Sequence, residues 1–346
     1  MTSSNRRDRC AEALRCKGNL GVPFIPAIYE HKAWLIQDTP SRVCRDVELL
    51  YRAIMTEYEQ VEPDALVIGM DLYNVEAEAA GCTVTFYDGD DVSTPGIAPG
   101  DHVVRIGDDV ASRFVPNPLT DGRMPINIEV ARRVVQALGD QVWVRGGLTG
   151  PFTLAVNLMG ATELFLGLID HPEFIHAILA YAARIIKQYG EAYVDVGADV
   201  VMFDSQASSE LLSPRMYHEF VLPVTKKIVS HFQKCGLRDM PLVIGGNNTP
   251  ICEDLIATGA NNLLCDFKDD WPTWLTKCRI AGRAVRRNLD PRFIQDATPD
   301  VIYEAVKRMI AEADGYPGFM AGTAVVPFGT RTENLIAVRQ ACREAG

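Results

Sequence analysis

Eight short runs of β-branched and aliphatic residues, each followed by a stretch with apolar residues spaced three and four apart, constrain this chain more than any other feature. Runs of that kind read as parallel strands buried on both faces, and the stretches between them as amphipathic helices. They are Pro23–Tyr29, Ala65–Leu72, Val142–Gly147, Asp199–Asp204, Leu242–Gly246, Asn262–Asp266, Arg283–Asn288 and Gly318–Thr323. Eight such alternations are the count of a closed (β/α)8 TIM barrel, and 346 residues suffice for one such domain spanning the chain.

The helix signals agree. Ser213-Pro214, Thr249-Pro250 and Thr298-Pro299 each place a hydroxyl where an N-cap belongs, with proline at the first helical position. Gly259 and Gly315 are expected stops, and His171–Val196 carries a continuous apolar stripe. The segment 73–127 does not fit a simple βα unit. It is read as a hairpin-bearing insertion at the barrel mouth, with strands over Thr83–Tyr87 and His102–Ile106 around a turn-rich DGDDVSTPGIAPGD stretch.

Charge and cysteine usage narrow the partners. Asp and Glu number 45 against 34 Lys and Arg, a formal charge of −11, so attraction to nucleic acid or to anionic membranes is not expected. The nine cysteines are dispersed, with no CxxC pair, which points to reduced thiols in a cytoplasmic protein. The first residues carry no apolar targeting segment, and no later stretch approaches a membrane-spanning run.

Barrels of this kind carry their chemistry at the C-terminal ends of the strands, so the strand assignment nominates the site. It selects Tyr29, Glu30 and His31 after the first strand, Asp71 and Tyr73 after the second, and Thr149 with Phe152 after the third. Asp204 and Gln206 follow the fourth strand, Asn247 and Asn248 the fifth, Asp266 the sixth and Asn288 the seventh. Asp71 and Asp204 end the apolar runs VIGMD and VVMFD, where an isolated carboxylate needs a partner or a purpose. GGLTGP and GGNNTP lack the spacing of a dinucleotide or phosphate loop, and no HxH, HExxH or CxxC pattern announces a metal site.

Several segments together resemble the uroporphyrinogen decarboxylase superfamily, and more closely its corrinoid-dependent methyltransferase branch. They are RRDRCAEALRCKGNLGVPFIP, PDALVIGMDLYNVEAEAAGC, GGLTGPFTLA, GADVVMFDSQASSELLSPRMYHEFVLP, GGNNTPICEDLIATGA, NLDP and VPFGTRTENLIAVRQA, and they cover nearly the whole chain. The resemblance implies a barrel enzyme in which Asp71 matches the pyrrole-binding aspartate of the decarboxylases. Two departures qualify it. The arginine-rich segment that clamps porphyrinogen carboxylates is replaced by PAIYEHKAW. In thiol-methylating members the motif LHICGNTTP supplies His and Cys to zinc, with a third Cys near the last loop. Here those positions are Val243, Gly245 and Ala324, so zinc is not expected at the family site.

The resemblance then implies the opposite half-reaction, transfer of a methyl group from a small substrate to the Co(I) of cobalamin carried by a separate corrinoid protein. A methoxylated aromatic is the expected methyl donor, undergoing O-demethylation. Because Co(I) is already a strong nucleophile, help is needed at the departing oxygen, and Asp204, Asp71, Tyr73 and His31 are the residue types that can give it. Tyr29, Glu30, Thr149, Phe152, Gln206, Asn247, Asn248, Asp266 and Asn288 are expected to line the substrate. Decarboxylation of a cyclic acid and a non-catalytic, ligand-binding barrel are the alternatives.

Overall fold

The computed structural model describes residues 5–18, 20–237 and 239–345. The eight expected strands all form: β1 Phe24–Ala27, β2 Ala65–Ile68, β3 Trp143–Thr149, β4 Asp199–Phe203, β5 Pro241–Val243, β6 Asn262–Cys265, β7 Ala284–Leu289 and β8 Phe319–Val325. They pair in parallel in the order β1-β8-β7-β6-β5-β4-β3-β2. At the seam between β1 and β2 the Asp64 amide donates to Phe24 O (2.9 Å), and the Asp64 carboxylate accepts from the Phe24 amide (2.7 Å). One residue thus rivets the ends of the sheet into a barrel.

The helices used below are α1 Arg6–Leu14, α2 His31–Leu35, α3 Val47–Gln60, α4 Met124–Leu138, α5 Pro151–Met159, α6 Pro172–Asp195, α7 Leu222–Lys234 and α8 Thr332–Glu344. α6 realises the apolar stripe, with Ile175, Ile178, Leu179, Ala182, Ile185, Ile186 and Tyr189 buried. Ser213 caps as expected, its hydroxyl accepting from the Met216 amide (3.2 Å). Thr249 does not: Asn248 holds the cap position there and Thr249 begins the short helix itself. Among the described residues no single helix is long and apolar enough to cross a membrane.

Two apolar layers fill the barrel. The lower one joins Ile25, Ala65, Trp143, Ala284 and Met320 and is closed from below by Cys10, Ala13 and Leu14 of α1. The upper one joins Ala27, Val67, Val201, Phe203, Val243 and Leu264, with Tyr29 and Leu72.

A hairpin follows β2, as expected, but its second strand is elsewhere. Val84–Thr85 pairs with Gly96–Ile97 in antiparallel fashion. The stretch expected as a strand, His102–Ile106, spends its amides differently: Val103 and Val104 both donate to Leu158 O (2.9 Å each) and the His102 ring bonds Asn157 O (2.8 Å). Those carbonyls belong to the last turn of α5, so the segment caps a helix and has no amides left for a ladder.

Candidate active site

At the C-terminal ends of the strands, Tyr29 and Phe203 pack edge to face with centroids 5.5 Å apart, and Tyr73 meets Phe203 from the other side at 6.5 Å. The Tyr73 hydroxyl lies 3.0 Å from the Ser205 hydroxyl. Tyr29 and Phe203 are buried, whereas Glu30, Tyr73, Ser205 and Gln206 remain partly open. Burial raises the pKa of both Tyr73 and Glu30, so the phenol stays a donor and the Glu30 carboxyl holds its proton more tightly than usual. Beside this mouth a groove of about 600 Å³ runs between α2 and the loop after β8, edged by Trp34, Gln37, Phe328 and Thr332.

Several expected site residues sit behind that wall. Asp204 is fully buried and does not point into the lumen. Its Oδ1 accepts from the Thr153 amide (2.7 Å) and hydroxyl (2.8 Å), and Oδ2 faces the Phe152 amide (3.4 Å). These are the free amides at the N-terminus of α5, where a carboxylate is the natural acceptor. Gly150 makes the approach possible, since a Cβ there would fall 2.2 Å from the Asp204 side chain. Burial lifts the Asp204 pKa to about 6 against these hydrogen bonds.

Asp71 is likewise committed, accepting from Asn74 Nδ2 (2.6 Å) and from Arg123 Nη2 (2.9 Å). Arg123 also donates to Glu78 (2.5 Å), so the loop after β2 is tied to the start of α4. Burial pushes the Asp71 pKa up despite the guanidinium. His31 opens α2 and is fully buried, its ring facing the Pro327 backbone without a well-formed hydrogen bond; burial, opposed by that backbone contact, brings its pKa down to about 4 and keeps it neutral near pH 7.

Of the expected substrate contacts, Tyr29 and Glu30 are at the mouth, and Gln206 lies half-exposed behind Ser205. The Thr149 hydroxyl donates to Leu72 O (2.8 Å) and meets Glu76 (2.7 Å). Phe152 is buried against Phe165. Asn248 is consumed by its own loop: Nδ2 donates to Ile244 O (2.8 Å), and Oδ1 accepts from the Ser209 amide (3.1 Å). Asn247 is exposed, and Asp266 accepts from the amides of Gly246 (2.6 Å) and Phe267 (2.9 Å). Asn288 faces inward with its Oδ1 unpaired.

Two lumenal residues escape a search restricted to strand ends. Register sets Arg145 of β3 beside Val67 and Arg286 of β7 beside Leu264, both members of the upper lumenal layer. Their inward direction was readable from alternation, since each stands two residues after an inward-facing one, Trp143 or Ala284.

The side chains of Val243 and Ala324 carry no donor atom and Gly245 has no side chain, so the positions that the resemblance assigns to zinc do not fit that metal. Among the described residues one trio, Glu191, His231 and Cys235, brings ligand atoms within 4.8 Å of one another. It lies in the closing turns of α6 and α7, which run back toward the floor of the barrel, away from the mouth.

Comparison with known proteins gives a consistent picture. The model of the uroporphyrinogen decarboxylase (URO-D) family matches residues 5–345. A methylcobamide:CoM methyltransferase MtbA of Methanosarcina acetivorans is 28% identical over 252 residues, 70% of this chain and 72% of the relative. A uroporphyrinogen decarboxylase of Acinetobacter baumannii is 30% identical over 284 residues, 78% of this chain and 75% of the relative. A solved methyltransferase from Methanosarcina mazei has the same fold, with a TM-score of 0.86 and 22% identity over 98% of both chains.

Proposed function

From the premise that this chain belongs to the uroporphyrinogen decarboxylase (URO-D) family, we propose that it transfers a methyl group from a small methoxylated aromatic to the Co(I) of a separate corrinoid protein. The observation that carries the reading is the composition of the mouth. It joins an aromatic wall, Tyr29 and Phe203, to the Tyr73–Ser205 hydroxyl pair, where the thiol-activating positions have become Val243, Gly245 and Ala324. Relatives that work on methylcobamide support the corrinoid partner.

In this reading the aromatic ring lies against Tyr29 and Phe203 with its methoxy group toward solvent, where the corrinoid protein docks. Co(I) attacks the methyl carbon with its electron pair, the carbon–oxygen bond breaks, and the pair leaves on oxygen. Tyr73 donates its hydrogen bond to that oxygen as charge develops and passes a proton, which Ser205 relays from solvent. The products are a phenol and methyl-Co(III). Asp204 and Asp71 act as positioning residues, the first fixing α5 behind the wall, the second fixing the loop that carries Tyr73.

The test is incubation with Co(I) corrinoid protein and a panel of methoxylated aromatics, following methyl-Co(III) by absorbance. No methyl-Co(III) with any of them would sink the reading. The decarboxylase relative at 30% identity supports a second reading, decarboxylation of a cyclic acid, for which release of carbon dioxide is the assay.

A further inference from the structure

Arg145 and Arg286 are 2% and 5% exposed, lie inside the barrel, and make no ion pair or hydrogen bond among the described residues. Arg145 stacks on Trp143, with 4.7 Å from guanidinium to ring centroid. Nε and Nη2 of Arg145 and Nη2 of Arg286 are buried without acceptors. Leaving such donors unmet is costly, and two like charges in one lumen add repulsion. Burial first, then the Arg286 charge, brings the Arg145 pKa down to about 10.

Four buried or half-buried carboxylates of the barrel, those of Glu57, Asp64, Asp199 and Asp266, are engaged with other groups. Glu57 pairs with Lys32 (3.4 Å), Asp64 with Arg9 and Arg343, Asp199 accepts from the Trp143 indole (2.6 Å), and Asp266 is held by two backbone amides. Room for the Arg286 stem has even been made, because a Cβ at Gly322 would come within 2.9 Å of its Cδ and 2.8 Å of Asn288 Oδ1. Toward the mouth stand Tyr29 and Tyr73, whose pKa values burial raises, so these phenols stay neutral and supply no counter-charge.

We infer that Arg145 and Arg286 are the anion-binding floor of the substrate site, and that the substrate is an aromatic acid with its carboxylate on this pair and its reacting group at the mouth. The inference rests on the proposed location of the site and deepens it by naming the substrate class. A planar carboxylate matches the guanidinium fork and supplies the counter-charge that the protein withholds. A neutral methoxyarene would leave both cations uncompensated.

Binding by the purified protein, without corrinoid, tests this. 4-Methoxybenzoate should bind at least about tenfold tighter than 4-methoxybenzyl alcohol in calorimetry, the scale of a charged hydrogen bond. Both R286Q and R145Q should erase that preference. In the ligand-free state R286Q should melt at or above the wild-type temperature, since it removes an unpaired buried charge. Equal binding of acid and alcohol, a preference that survives both substitutions, or a lowered melting temperature for R286Q would overturn the inference. Acetate binding as tightly as methoxybenzoate would assign the pair to a free small anion and overturn the substrate class. Methyl-Co(III) formation is read separately. Acid preference without methyl transfer keeps the anion floor and removes the proposed reaction, whereas methyl transfer from neutral arenes without acid preference does the reverse.

Discussion

The floor and the middle of this barrel treat the same side chain in opposite ways. At the floor, Arg9 and Arg343 converge on the single carboxylate of Asp64, which also closes the β1–β2 seam. One layer higher, Arg145 and Arg286 are as deeply buried as Arg9 and, among the described residues, pair with no carboxylate. The contrast separates two reasons for burying a cation. Where the charge holds the fold, the chain supplies its partner and the pair is complete before any ligand arrives. Where no partner is supplied, the stability lost is tolerated because something else completes the site.

The floor gives the largest expected effect. Asp64→Asn leaves two guanidinium groups facing a neutral amide and weakens the hydrogen bond to the Phe24 amide. Breaking a buried charge pair of this type costs about 3–5 kcal/mol, which chemical denaturation would register directly. A loss below about 1 kcal/mol would show that the floor arginines are as indifferent to a counter-charge as the lumenal pair, and the contrast would collapse.

The second effect is on rate. Tyr73→Phe removes the donor at the mouth while keeping the ring against Phe203, so methyl transfer should fall roughly 100-fold, the scale of a positioned proton donor. The deficit should shrink for substrates whose phenolate is already stabilised by electron-withdrawing groups. A uniform deficit across the series would mean that Tyr73 orients substrate and that the proton comes from Glu30.

What the sequence revealed of all this follows from what each residue's neighbours do. The strands were legible because their apolar runs have no alternative but a sheet buried on both faces. The strand-end residues were legible as a set, because barrel geometry gathers them whatever their individual roles. Direction was not legible: Asp204 and Thr149 end their strands as expected, yet turn behind the wall because α5 and Glu76 offer them amides and carboxylates there. His31 is expected among the catalytic groups after the first strand, but it starts α2 directly after Tyr29-Glu30 and is fully buried there. The hairpin's second strand was misplaced because alternation in His102–Ile106 cannot show that its amides are claimed by the end of α5. Arg145 and Arg286 were missed for a different reason, since they sit in mid-strand, where a search for chemistry at strand ends does not look.

A third prediction separates positioning from chemistry. Asp204→Asn weakens the cap on α5, with a cost of about 1–2 kcal/mol, and any rate loss should be the same for good and poor leaving groups. The pH dependence has a definite sign. The folded pKa of Asp204, about 6, lies above its ordinary 3.8, so the folded state binds the proton more tightly than the unfolded one. The stability tied to that proton is complete below pH 3.8 and is lost as the pH rises through about 6. The advantage of the wild type over Asp204→Asn, followed by thermal melts, should therefore shrink between those limits. An advantage that grows over the same window would mean the carboxylate is stabilised as an anion by α5 more than burial opposes it.

The smallest effect sharpens the comparison from the exposed side. Glu210, after β4, and Lys268, after β6, bridge across the mouth at 3.0 Å, but both side chains are more than two-fifths exposed. Water already satisfies each charge, so the pair gains little and loses side-chain freedom in forming. A double-mutant cycle of Glu210→Gln and Lys268→Met should give a coupling of about 0.2–1 kcal/mol at low salt, fading as ionic strength shortens the screening length. The carboxylate also accepts weakly from the Asn247 amide at 3.3 Å, which the glutamine oxygen can still do, so the cycle isolates the charge. A coupling above about 2 kcal/mol that persists in high salt would place this bridge with Asp64 among the fold-holding pairs. Exposure would then have failed as the criterion that divides paired from unpaired cations, and the reading of Arg145 and Arg286 would have to stand on ligand binding alone.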